Sequence, residues 1–251
     1  MLVKQAANVI EILEYFVQRK RPATLSEISD DLGWPRSSTF NLVGTLADKG
    51  YLYEPRSRGG YYPSPRWLTT AQSLADAEPL PEALLSLVRE IVKETGETTS
   101  VCAPSGTHAV MIHVFESIQS IRYYAHVGSR VPIYASSAGR ALLAQYAPHE
   151  RLSIYKKIKF EHYTETTPVS IETLEEELRR AHERGYHQSH SEYIPDLAGV
   201  ALPLPLPYRK LSIVVAGPVS RCLEKRAAIA EIMIKGLQRF SKELDIKPVE
   251  A

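Results

Sequence analysis

The chain has 251 residues, 44% of them hydrophobic, and 30 basic against 29 acidic side chains leave a net charge of +1. That is enough for one large domain or two ordinary ones with real cores, and the charge balance rules out any argument for nucleic-acid binding from bulk charge. The cysteines, Cys102 and Cys222, lie far apart without a CxxC spacing, which argues against a disulfide framework or a zinc ribbon and for core thiols in a reducing compartment.

The N-terminal stretch "MLVKQAANVIEILEYFVQRK" has Glu11 and Glu14 inside a helical pattern. It is not organised as a signal peptide, and no run approaches the ~18 apolar residues of a membrane span, so a cytoplasmic protein without a membrane partner is expected. Over residues 4–19, Val9, Ile12, Leu13, Phe16 and Val17 recur at three- and four-residue steps, which predicts an amphipathic helix ended by Pro22. Thr24 followed by Glu27 is a capping box, and it opens a short second helix through Ile28 and Leu32 that stops at Gly33. A third helix is predicted with Trp34 as N-cap and Pro35 in the first helical position. Thr39, Leu42, Val43 and Leu46 form its apolar stripe until Gly50. The stretch "YLYEPRSRGGYYPS" then reads as two short aromatic strands, 51–53 and 61–62, joined by a Pro-Arg-Ser-Arg-Gly-Gly tip. Three helices and a hairpin in this order predict a winged helix-turn-helix over residues 1–64.

With the apolar stripe turned inward, the other side of the third helix carries Arg36, Ser37, Ser38, Phe40, Asn41 and Thr45. A merely solvated face is usually rich in Lys and Glu. Short hydrogen-bonding side chains near a helix start instead suit close approach to phosphates and base edges, and Arg56 and Arg58 on the hairpin tip suit a phosphate or minor-groove contact. Winged helices also serve as protein-docking or dimerisation modules, and that alternative stands beside DNA binding at this point.

A linker helix is predicted within residues 65–80, and "AEPLPE" marks the break before a second domain, 81–251. There the pattern predicts a helix at 81–95, strands in "ETTSVCAP", "HAVMIHVFES" and "IRYYAHV", and a helix opened by "SSAGRALLAQ". A helix over "SIETLEEELRRAHERG", strands "GVALPLPL" and "LSIVVAGP", and a final helix at 221–244 follow. The lack of a regular βαβ rhythm assigns the class α+β. Ser136 and Ser137 fall at a strand-to-helix junction where the first amides, near Ala138 and Gly139, are unpaired, which favours a small carboxylate ligand. The alternative is that one serine simply caps the helix.

The stretch "TLSEISDDLGWPRSSTFNLVGTLADKGYL" resembles the helix-turn-helix of the IclR family of bacterial transcription regulators. "GETTSV", "VGSRVPIYASSAGRALLA", "LEEELRRAHERGYH", "GVALPLP" and "SIVVAGP" resemble that family's ligand-sensing domain, in the same order. The resemblance implies a winged helix-turn-helix, a linker helix and a GAF-like α/β effector domain, assembled as dimers or paired dimers on a double-stranded operator, with repression the commoner outcome. It also implies that the loop before "AGR" lines the effector pocket and that Glu192, Leu202, Val214 and Ala216 match pocket positions. Several members are polar at the last two, so Val214 and Ala216 favour a ligand with an aromatic or alkyl body. His113, Phe115, Tyr123 and Tyr134 are further wall candidates, although strand aromatics are more often plain core. Asn41 stands where many members carry Arg, and Ser38 and Thr39 where Thr and an aliphatic residue are common, differences that bear on which operator is read.

No GxSxG, HExxH, GxGxxG or P-loop pattern occurs, neither cysteine has an adjacent histidine, and no cofactor is implied. An enzyme is therefore not expected. The one cluster that bears on metal or catalytic chemistry is His182, His187 and His190 near Glu192. Its spacing straddles a helix end, which predicts a solvated loop, with a metal-binding variant of the second domain as the alternative.

Overall fold

The computed structural model describes residues 3–77 and 79–246, and the chain divides into two units, residues 1–79 and 80–251. In the first, α1 (Lys4–Arg19) turns Ile12 and Phe16 inward. The capping box of α2 (Leu25–Leu32) forms as the sequence predicts: the Glu27 amide donates to Thr24 Oγ1 at 3.3 Å and the Thr24 amide donates to Glu27 Oε2 at 2.8 Å. Helix α3 (Arg36–Asp48) begins one residue later than expected, with Pro35 rather than Trp34 as its N-cap. Pro35 is extended at ψ 135°, and its carbonyl accepts from the Thr39 amide at 3.0 Å and from Thr39 Oγ1 at 3.2 Å. Trp34 belongs to the preceding turn, where it exchanges bonds with Ser29.

Strands β1 (Leu52–Tyr53) and β2 (Tyr62–Pro63) pair antiparallel, and a bridge from Ala23 to Tyr61 ties the wing to the turn before α2. Gly60 has φ +85° and lies where a Cβ would overlap the Ala23 backbone, so this crossing needs glycine. Ile12, Phe16, Ile28, Val43, Leu46 and Leu52 form the core. Helix α4 (Arg66–Ala77) is anchored by Trp67, whose Nε1 donates to Tyr51 O at 2.8 Å.

In the second unit, α5 (Glu82–Thr95) precedes β3 (Thr98–Ser105), β4 (His108–Phe115) and β5 (Arg130–Pro132). Then come α6 (Ser137–Leu143), α7 (Pro148–Tyr155), α8 (Ile171–Arg184), β6 (His187–His190), β7 (Leu197–Leu206), β8 (Arg209–Pro218), α9 (Val219–Cys222) and α10 (Arg226–Phe240). The strands form one sheet in the order β5-β4-β3-β8-β7-β6, with every neighbouring pair antiparallel. Strand periodicity gives the sheet two distinct faces. Val101, Val200, Leu202, Ile213 and Val215 pack with α5 and α10, whereas Cys102, Ala201 and Val214 pack with Ala138, Ala141 and Leu142 of α6.

Two expectations change here, and two elements appear that were not expected. Residues 121–127 are not a strand, and two of their carbonyls are taken by side chains: Thr98 Oγ1 donates to Tyr123 O and Arg221 Nη2 to Ile121 O, both at 2.8 Å. The free edge of β4 pairs with β5 instead. The helix expected at 221–244 is broken into α9 and α10. Strand β6 and helix α7 have no hydrophobic period in sequence; β6 exists because Ser189 pairs with Gly199 and His187 with Ala201. Among the described residues no helix is long and apolar enough to cross a membrane.

Candidate DNA interface and effector site

Helical geometry sorts the hydroxyls that open α3. Thr39 is wholly buried, while Arg36, Ser37, Ser38, Phe40, Asn41 and Thr45 are all exposed. Among the described residues, the side chains of Arg36, Ser37, Ser38 and Asn41 make no hydrogen bond or ion pair, and Thr45 Oγ1 donates only within the helix, to Asn41 O at 2.7 Å. Arg56 and Arg58 are exposed on the wing and have no partner among the described residues, Arg58 at φ +58°. The outer face of α3 is thus a set of uncommitted donors beside a basic tip, which is what reading of phosphates and base edges requires.

In the second unit, Ser136 is the N-cap of α6. Its Oγ accepts from the Gly139 amide at 3.2 Å and donates to Pro132 O at 2.7 Å, so this hydroxyl is committed to the fold. Ser137 Oγ accepts from Ser189 Oγ at 3.3 Å. The amides of Ser137 and Ala138 have no acceptor among the described residues, though both residues are buried. Gly139 has no room for a Cβ against Ile133, which lets α6 start close to the preceding chain.

Beside this turn, β3, β8 and β7 contribute Ser100, Val214 and Ala216 with Gly199, paired in register as Ser100 with Val214 and Gly199 with Ala216. Tyr123 and Tyr193 pack against the cluster that joins Val214 to Cys102, Ala138 and Ala141. The hydroxyls of Tyr123 and Ser100 have no hydrogen-bond partner among the described residues. Burial pushes Tyr123 up to about 12, with Cys102 and Tyr193 adding to the shift. Cys102 is likewise raised to about 12 by burial, so it is an inert thiol.

Other expected wall residues lie elsewhere. Leu202 packs with α5 and α10 on the opposite face, because the two-residue period turns Ala201 and not Leu202 toward α6. His113 and Phe115 also face away from α6: their rings meet at 4.7 Å, and Arg89 of α5 lies 5.3 Å over Phe115. Tyr134 is buried in a separate cluster with Phe160, and its hydroxyl donates to Glu161 O at 3.0 Å and accepts from the Glu161 amide at 2.7 Å. It supports the loop at Glu161 rather than the turn that opens α6.

Glu192 is not free either. Arg140, wholly buried in α6, reaches Glu192 Oε2 at 2.5 Å and Oε1 at 3.0 Å, and also donates to the carbonyls of Tyr134 and Gln188. This pair ties α6 to the chain after β6 and neutralises the carboxylate. Sequence reasoning missed Arg140, although a lone Arg inside "SSAGRALLA" is a visible anomaly in a helix otherwise made of small and apolar residues. It also missed Glu97, buried under β8, whose Oε2 accepts from Arg221 Nη2 at 2.8 Å; the same Nη2 holds the 121 carbonyl.

The histidines are not a solvated loop. His187 is buried on β6, His190 is half-buried on the same strand, and His182 is exposed on α8. Among the described residues no group of three or more His, Cys, Asp or Glu is placed to hold a metal.

A three-helix winged module whose third helix presents an uncommitted polar face, joined to an antiparallel sheet domain with buried free donors, is the architecture of ligand-responsive DNA-binding regulators. Residues 5–56 match the IclR helix-turn-helix domain and residues 72–242 match the C-terminal domain of bacterial IclR transcriptional regulators, and the chain belongs to this family. It is 30% identical over 222 residues to the HTH-type transcriptional repressor AllR of Escherichia coli (strain K12), covering 86% of this chain and 81% of that protein. AllR of Salmonella typhi is 29% identical over 252 residues, 95% of this chain and 89% of the relative. Two solved structures share the fold. The IclR of Thermotoga maritima superposes with a TM-score of 0.76 at 21% identity, covering 96% of this chain and 98% of the other. An IclR homologue from Microbacterium hydrocarbonoxydans, complexed with 4-hydroxybenzoate, superposes at 0.71 with 22% identity, covering 95% and 99%.

Proposed function

We propose that the chain represses transcription by binding an operator through α3 and the wing, and that a small organic carboxylate with an aromatic or alkyl body releases it. The observation that carries this reading is the pairing of two uncommitted donor sets. One is the exposed side chains of Arg36, Ser37, Ser38 and Asn41, with Arg56 and Arg58 on the wing. The other is the buried Ser137 and Ala138 amides with the free hydroxyls of Ser100 and Tyr123. Val214, packed against α6, and the buried Ala216 beside Gly199 make the adjoining strands apolar, and Arg140 cancels the charge of Glu192, which would otherwise repel a carboxylate. No catalytic step belongs to this reading.

The operator-bound form is a homodimer or a pair of dimers. The solvent side of α1 carries Ile10 and Val17, 56% and 66% exposed and one heptad apart, its N-cap Val3 is 55% exposed, and α4 exposes Leu68 and Leu74. Such unpartnered stripes suit an isologous contact. The effector acts only through unequal affinity for DNA-competent and DNA-incompetent arrangements.

The test is a mobility shift on the DNA upstream of its own gene, across a salt series, with and without a panel of benzoates and short oxo acids. Salt-sensitive, sequence-specific binding that at least one carboxylate weakens is expected. Binding indifferent to sequence, or to every carboxylate while amines or neutral compounds release the DNA, overturns the reading. Ile10→Asp should shift sedimentation toward the monomer.

A further inference from the structure

Beside the recognition face, the first turns of α1 and one flank of α3 enclose a cleft of about 630 Å³. One wall is Lys4, Gln5 and Asn8, and the other is Ser38, Asn41 and Thr45. The rest of the lining is apolar or glycine, no carboxylate faces the cleft, and the side chains of Lys4, Gln5 and Asn8 have no partner among the described residues. We propose that this cleft seats the sugar–phosphate backbone of one DNA strand while α3 lies in the major groove, with Lys4 supplying the charge and Gln5 and Asn8 donating to phosphate oxygens.

Three features favour this occupant. The cleft is continuous with the proposed base-reading surface, because Ser38, Asn41 and Thr45 belong to both. Helix periodicity places Lys4 and Asn8, four residues apart, on a side of α1 different from the exposed apolar Ile10 and Val17, so the cleft is separate from the surface suited to a second copy. The walls combine one cation with amides and hydroxyls over an apolar base, the composition of backbone-positioning contacts, and Lys4 lies on the chain's most N-terminal described helix with no acidic residue in its first turn.

The inference rests on the DNA reading above, and the test separates the two. A duplex selected by the full-length protein from a random library and a non-specific duplex of equal length are titrated at several salt concentrations. The proteins are the wild type, Lys4→Ala, Asn8→Asp and Asn41→Ala, with thermal unfolding and sedimentation as controls. Lys4→Ala should weaken both duplexes by the same factor and lower the slope of log K against log[salt] by about 0.9 for each phosphate that is no longer neutralised. Asn8→Asp should weaken both at least about tenfold, since it sets a carboxylate against phosphate. Ethylation of phosphates flanking the half-site should interfere with the wild type and no longer with Lys4→Ala. Unchanged slope and affinity in Lys4→Ala, a loss confined to the selected sequence, or a change of oligomeric state instead would overturn the proposal. If Asn41→Ala loses the selected sequence while Lys4→Ala binds normally, the cleft assignment alone fails; if neither affects binding, the α3 reading fails with it.

Discussion

His187 should make the stability of the second unit depend on pH. The residue is 5% exposed on β6, opposite Ala201, and Nδ1 is buried without a hydrogen-bond partner among the described residues. Desolvation first, then the positive charges of Arg140 and Arg184, hold it down from 6.5 to about 3. The acids that partner those two arginines are already engaged, Glu192 with Arg140 and Glu177 with Arg184. The folded value is depressed, so the unfolded chain binds the proton more readily, and stability present above pH 6.5 is lost as pH falls toward 3. Between pH 8 and pH 5 the loss from this single group is about 2 kcal/mol. Urea unfolding at both pH values, for the wild type and His187→Phe, isolates it, because other titrating groups are common to both. The variant also removes an orphaned polar atom, so it should be no less stable at pH 8. The wild type should lose about 2 kcal/mol more than the variant on acidification, and equal losses would refute the reasoning.

Glu192→Gln leaves the Arg140 guanidinium buried without its counter-ion and should cost about 3–5 kcal/mol in denaturant unfolding, while Arg140→Met with Glu192→Leu should recover most of that. Gly199→Ala places a methyl 2.6 Å from Ser137 Oγ and 2.8 Å from Ser189 Oγ. It should lower the melting temperature and abolish release by effector in the mobility shift, while DNA affinity is kept. Thr24→Ala removes the capping box and should cost about 1 kcal/mol, seen as earlier unfolding of the N-terminal unit by hydrogen exchange. Phe40 is 64% exposed on α3 and suits contact with a thymine methyl. Uracil in place of thymine across the half-sites should weaken the wild type and leave Phe40→Ser unaffected.

Much of the first unit is legible in the sequence because its signals are local. The capping box of Thr24 and Glu27, the Gly33 stop and the spacing of Thr39, Val43 and Leu46 each act within one or two helical turns. The N-cap of α3 lies one residue beyond its expected place, since Pro35 fits a first helical position as well as a cap, and only the Ser29–Trp34 turn chooses between them. The expectation of a strand at 121–127 fails for a related reason: its aromatic composition suits a strand, but Thr98 and Arg221, distant in sequence, take two of its carbonyls.

By itself the sequence determined the helical periods, the caps and turns, and which strands alternate apolar with polar, because these depend on neighbours within a few residues. It could not determine which face of a strand meets which helix. A shift of one residue reverses every side chain, so the choice between Leu202 and Ala201 waits on the register of β7 with β8. Nor could it show that Glu192 is held by Arg140, or that His187 is stripped of solvent beside that pair. Burial and charge pairing across dozens of residues exist only once the sheet has closed on α6.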